Sequence, residues 1–153
     1  MYSRDEASKI KEVFWTKFGK YMQPVLSAEG EKINWINYKT GIRSLAFKMN
    51  VTDKEVYFGI EIAHKEEVSA HKLYELFESM KTVFEEQVGV AWKWEPVAEN
   101  EYRQPLSRIS IVKTELNIFK ESDWPGIISF LKPQLILLDM FWCDHKMIFE
   151  MNV

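Results

Sequence analysis

The chain has 153 residues, of which 46% are hydrophobic, 14% aromatic and 28% charged, and its formal net charge is −3. That length suits one core and is cramped for two, so residues 1–153 read as a single domain, and so apolar a chain excludes disorder. The small negative charge excludes a global pull toward nucleic acid or anionic lipid and leaves room for a local basic patch.

Ser3 followed by Glu6 has the pattern of a reciprocal helix cap. Ala7, Ile10, Phe14, Phe18, Tyr21 and Met22 then recur at helical spacing, and Pro24 bars continuation. Residues 27–32 are polar and read as a loop, and Trp35 to Gly41 shows no assignable period. From Ser44 to Val51 and from Val56 to Ala63 apolar and polar residues alternate, which predicts two strands joined in a hairpin near Thr52-Asp53. Residues 67–88 predict a second helix, with Leu73, Phe77, Met80, Phe84 and Val88 as its stripe and Gly89 as its C-terminal cap. Residues 91–95 predict a third strand, residues 96–105 a polar connection, and residues 106–116 a fourth strand. A last helix is predicted from Ser122-Asp123-Trp124-Pro125 onward, kinked or split at Pro133.

The order α-β-β-α-β-β-α predicts an α+β fold: a mostly antiparallel four-stranded sheet packed with three helices. No secretory signal is expected from the charged start of the chain. The most apolar stretch, residues 127–142, is interrupted by Lys132, Pro133 and Asp139 and is shorter than the roughly 20 residues of a spanning helix, so no membrane segment is expected. One cysteine, Cys143, excludes an internal disulfide and fits a reducing compartment, so the expectation is a cytoplasmic protein.

Four stretches carry a resemblance: Ser-Arg-Asp-Glu-Ala-Ser at 3–8, Trp-Ile-Asn-Tyr-Lys-Thr-Gly at 35–41, Glu-Ile-Ala-His-Lys at 61–65 and Asp-Trp-Pro-Gly-Ile-Ile-Ser-Phe-Leu-Lys-Pro at 123–133. Together they resemble a bacterial domain-of-unknown-function family, the one numbered four-two-six-eight. The resemblance brings no activity with it. It implies an accessory role near nucleic acid, since some members sit behind a nuclease-like domain in longer chains, an association and not a mechanism.

A metal-dependent nuclease would need an acidic residue near one strand and Glu and Lys two apart on the next, so that alternation puts both on one face. The chain offers Asp53, Glu61 and Lys65, but Asp53 falls in the predicted turn and Ala63 holds the lysine position. If Ser44 pairs near Glu61 and Ala46 near Gly59, the hairpin has a face of small side chains around one carboxylate. Close packing of a helix is the favoured explanation, and the floor of a small-molecule pocket is the alternative. His64 and His71 approach one another without further ligands at metal spacing. Cys143 and His145 point opposite ways on a helix, and Cys143 reads as a small buried hydrophobe.

The Trp35–Gly41 segment is the best binding candidate. Trp35 and Tyr38 offer aromatic faces, Asn37 a polar edge, and Lys39 with Arg43 a phosphate contact. The plainer reading, which is favoured, has Trp35 and Tyr38 capping the core. Trp92 and Trp94 share a strand face and read as core. The expected function is a non-catalytic binding or interaction domain, accessory to nucleic-acid processing, with a metal-dependent nuclease and a small-molecule-binding protein as alternatives. The candidate binding residues are Trp35, Asn37, Tyr38, Lys39, Arg43, Glu61, His64 and Lys65. No catalytic residue, metal ligand or cofactor is expected. The last helix is apolar nearly all round, with Ile128, Phe130, Ile136, Leu137, Met140 and Phe141 outside its main stripe, so a homodimer through it is expected.

Overall fold

Ser3 and Glu6 form the reciprocal cap: the Glu6 N–H donates to Ser3 Oγ at 3.2 Å and the Ser3 N–H to Glu6 Oε1 at 3.3 Å. They open helix α1, Arg4–Met22, whose Phe14, Phe18 and Met22 are buried. These elements come from a computed structural model that describes residues 2–65 and 67–153. Residues 23–44 then cross the surface without helix or strand.

Strands β1, Leu45–Val51, and β2, Glu55–Ala63, form the expected hairpin. The register is not the expected one: Ala46, not Ser44, lies opposite Glu61, and Lys48, not Ala46, lies opposite Gly59. The turn explains the difference. Thr52 Oγ1 accepts the N–H groups of Lys54 and Glu55, both at 3.1 Å, so residues 52–55 form the turn and Val51–Val56 is the last pair.

The predicted second helix divides into α2, Glu67–Ser79, and α3, Lys81–Gln87, which makes four α-helices where three were expected. Ser79 Oγ donates to the Leu76 carbonyl at 2.7 Å, competing with the backbone for that acceptor just where the helix breaks. Strand β3, Lys93–Glu99, runs past Pro96, where it was expected to end. It lies at a sheet edge and its register shifts between Glu95 and Ala98, so the proline removes no ladder bond there. Strand β4 is Pro105–Thr114. The order across the sheet is β1-β2-β4-β3, every neighbour antiparallel, which makes the fold α+β.

Helix α4, Trp124–Glu150, follows a 3-10 turn at Glu121–Asp123 and runs unbroken through Pro133, so the proline does not split it. Pro133 is on the exposed side, where the carbonyl it leaves unpaired can meet water. The helix is long and apolar enough, by length and composition alone, to cross a membrane. In this fold its Ile127, Leu131, Leu135, Leu138, Phe141, Trp142 and Phe149 belong to the buried core. Phe141, counted as surplus in the sequence, packs inside the chain, with ring centroids 6.2 Å from Phe77 and 5.2 Å from Phe84.

The core lies between the helices and one face of the sheet, where Phe47, Phe58, Ile60, Ile62 and Ile109 point. Trp92 is part of it and Trp94 packs against it. The opposite face carries Lys48, Asn50, Tyr57, Glu61 and Arg108, none of them buried. No helix among the described residues covers it.

Candidate functional site

Two concavities hold four of the candidate residues: Asn37, Tyr38 and Lys39 line one and Glu61 the other. The larger, about 530 Å³, separates the crossing segment 27–41 from the C-terminal half of α4. Asn37, Tyr38 and Lys39 line one wall, and Asp139, Cys143 and Lys146 the other. Alternate hydrogen bonds tie the segment down. The Trp35 indole donates to the Val25 carbonyl at 2.9 Å, the Trp142 indole to the Thr40 carbonyl at 3.2 Å, and the Thr40 hydroxyl to the Leu45 carbonyl at 2.8 Å.

Asp139 is the floor of this cleft and is only 2% exposed. The Tyr38 hydroxyl donates to its Oδ1, the Ala28 N–H to its Oδ2 at 2.7 Å, and the Cys143 thiol to Oδ1 at 3.5 Å. A buried carboxylate needs such donors, and here they come from three parts of the chain. Burial first, and then the charge of Asp139, push the Tyr38 phenol far above its usual range and the Cys143 thiol up to about 12. Cys143 is not fully buried as the sequence suggested: it is partly exposed and lines the cleft, but its thiolate is disfavoured. At the rim, Lys146 pairs with Glu29 at 2.9 Å.

The second concavity, about 430 Å³, lies on the uncovered face of the sheet beneath the β3–β4 connection. Tyr57, Gly59 and Glu61 follow each other along that face of β2. The Tyr57 side chain leans along its own strand: a Cβ on Gly59 would fall 2.2 Å from the Tyr57 hydroxyl and 2.6 Å from its Cζ. The hydroxyl reaches past the glycine to donate to Glu61 Oε2 at 2.9 Å. Gly59 is thus small to admit a tyrosine ring, and not a helix as the sequence suggested. Burial and the charge of Glu61 hold the Tyr57 phenol well above its usual range. Next to them Arg108 Nε donates to Glu95 Oε2 at 3.0 Å, which raises the Arg108 pKa and lowers that of Glu95.

The rim of this recess is built rigidly. Asn100 Oδ1 accepts the N–H groups of Tyr102 at 2.9 Å and Gln104 at 3.0 Å, while Asn100 Nδ2 donates to Gln104 Oε1 at 2.9 Å. Arg103 takes the left-handed conformation, φ 59°, that the turn demands. The turn holds Tyr102 out at the rim, 75% exposed. Its contribution was not visible in the sequence, where residues 96–105 read only as a polar connection.

The remaining candidates fall elsewhere. Trp35 is buried and unavailable to a ligand, while Arg43 is exposed but lines neither concavity. His64 Nε2 lies 2.8 Å from Ser107 Oγ, and since that hydroxyl donates to the Pro96 carbonyl, the histidine is the donor to it. His71 is 5.7 Å from it, ring to ring. Lys65 is exposed, outside both concavities. Among the described residues no three of His, Cys, Asp and Glu come together where they could hold a metal ion.

A family model described as "Domain of unknown function (DUF4268)" matches residues 10–146. No curated protein and no solved structure matches the chain.

Proposed function

The chain belongs to this domain-of-unknown-function family, and from the geometry of its uncovered sheet face we propose that it is a non-catalytic binding domain for a small planar ligand. The observation that carries this reading is Tyr57, laid over Gly59 and tethered to Glu61, with Tyr102 held out at the rim of the same recess. Aromatic side chains fixed at the edge of a pocket this size suit a planar ring, which gains stacking and loses little entropy to a site already formed. Saturation-transfer NMR with adenosine as probe tests it. The expected result is binding by the native chain and none by Tyr57→Leu; equal signals from both would defeat the proposal.

An accessory role beside nucleic-acid processing draws on the same surface, with an unstacked base as the planar group. The lining limits it: Glu61, Glu99 and Glu101 stand against Lys48 and Arg108, a poor balance for a run of phosphates. A short single-stranded oligonucleotide should therefore bind no more tightly than its nucleoside. Tighter, strongly salt-dependent binding of the oligonucleotide would show that the backbone is gripped as well.

A homodimer through α4 is supported by a set of residues that shares only Met140 with those the sequence suggested. Met140, Met147 and Met151 lie at helical spacing on one face and are 43%, 71% and 78% exposed. Sedimentation equilibrium should give a dimer that Met147→Glu dissociates; an 18.2 kDa species at high micromolar concentration would end the idea.

A further inference from the structure

The recess on the sheet face contains polar groups already spent on one another and polar groups still available. Asn100 is spent, its oxygen and nitrogen both engaged within the turn. Arg108, directly opposite Glu61, gives its Nε to Glu95 and keeps its terminal N–H groups as further donors beside the carboxylate. Glu61 is spent on one side only: Oε2 takes the Tyr57 hydroxyl, while Oε1 has no hydrogen-bond partner among the described residues. Lys48 on β1 sits one diagonal step away, since Ala46 is opposite Glu61 and Lys48 opposite Gly59. A ligand lying against Tyr57 would thus meet a carboxylate oxygen that accepts, beside ammonium and guanidinium groups that only donate.

Resting on the reading of this recess as the ligand site, we infer that it selects a planar nitrogen heterocycle with an exocyclic amino group next to a ring nitrogen, the edge shown by cytosine and adenine. The amino group donates to Glu61 Oε1 while the ring nitrogen accepts from Lys48. The Tyr57 tether fixes the carboxylate in this orientation, so the acceptor is preorganised. Uracil has the ring size of cytosine but turns a carbonyl oxygen toward the carboxylate, acceptor against acceptor, and a ring N–H toward Lys48, donor against donor, so the site loses both bonds.

Cytidine and uridine differ only along that edge, where uridine carries a carbonyl oxygen and a ring N–H in place of the amino group and bare ring nitrogen, so they test the inference as a pair. Titrations at pH 7.5, followed by NMR, should show cytidine binding at least about tenfold more tightly than uridine. Glu61→Gln can still accept the Tyr57 hydroxyl but offers an amide N–H to the ligand, so the preference should level or invert while the fold, monitored by circular dichroism, is unchanged. Equal affinity for the two nucleosides, both lost in Tyr57→Leu, would overturn the amino-edge inference and leave the binding site standing. Binding of neither nucleoside at millimolar concentration would overturn both.

Discussion

The molecule uses a tyrosine hydroxyl on a carboxylate twice, and the two pairs do different work. Tyr38 and Asp139 are 101 residues apart, and the carboxylate is buried and shared with Ala28 and Cys143. Tyr57 and Glu61 are four residues apart on one strand, half in solvent, and the carboxylate keeps an oxygen free. The first pair closes the crossing segment onto α4, and nothing else supplies the acceptor if Asp139 is lost. The second shapes a surface that folds with or without it. Sequence separation and burial, not the chemistry of the contact, distinguish the pair that ties distant segments together from the pair on the proposed binding face.

The strongest way to break the contrast is Asp139→Ala. It strands the Ala28 N–H and the Tyr38 hydroxyl, and should cost about 3 kcal/mol in urea unfolding. A loss below about 1 kcal/mol would mean the segment is held without it. Tyr38→Phe leaves the buried carboxylate short of one donor and should cost about 2 kcal/mol. Ser3→Ala, which removes an ordinary exposed cap, should cost about 1 kcal/mol and sets the scale. Tyr57→Phe should fall below that, within about 0.5 kcal/mol, because water can replace the lost bond. If Tyr57→Phe proves as costly as Tyr38→Phe, the two pairs are not different in kind.

The pH dependence sharpens the same contrast through Cys143. Its folded thiol holds a proton up to about 12, while the ordinary thiol value is 9.0. Above pH 9 the folded state therefore binds the extra proton, so the stability from the neutral thiol is complete below that pH and drains away as pH rises toward 12. Cys143→Ala should flatten the alkaline decline, and an unchanged slope would remove Cys143 as its source. At pH 8 the native thiol should also react with iodoacetamide orders of magnitude more slowly than an unfolded one, despite its partial exposure.

The elements with a clear period were legible in the sequence: α1 with its cap, the hairpin, and the start of α4 all follow from local pattern. What escaped depended on side chains acting at a distance from their own element. Thr52 moved the hairpin register by capping the turn, and the break of one helix into two falls beside Ser79, whose hydroxyl shares the Leu76 carbonyl with the Met80 N–H. Trp35 and Tyr38 lie three residues apart in one aperiodic stretch, yet one is core and the other lines a cleft, and only the partners Val25 and Asp139 separate them. Gly59 and Glu61 drew attention from their spacing alone. The reason lay two residues earlier, in a tyrosine that alternation had merely assigned to the polar face.

The crossing segment also bears on how the chain comes to be folded. Ala28, Tyr38 and Thr40 find their partners 111, 101 and 102 residues further on, all within one turn of α4. During synthesis the hairpin can pair as soon as it emerges, and Trp35 and Thr40 can reach the Val25 and Leu45 carbonyls early, but the bonds to α4 must wait for that helix. Until then the Ala28 N–H, the Tyr38 hydroxyl and the Thr40 carbonyl lack the partners that seat the segment. Arrival of the final helix is what completes the anchoring of the segment.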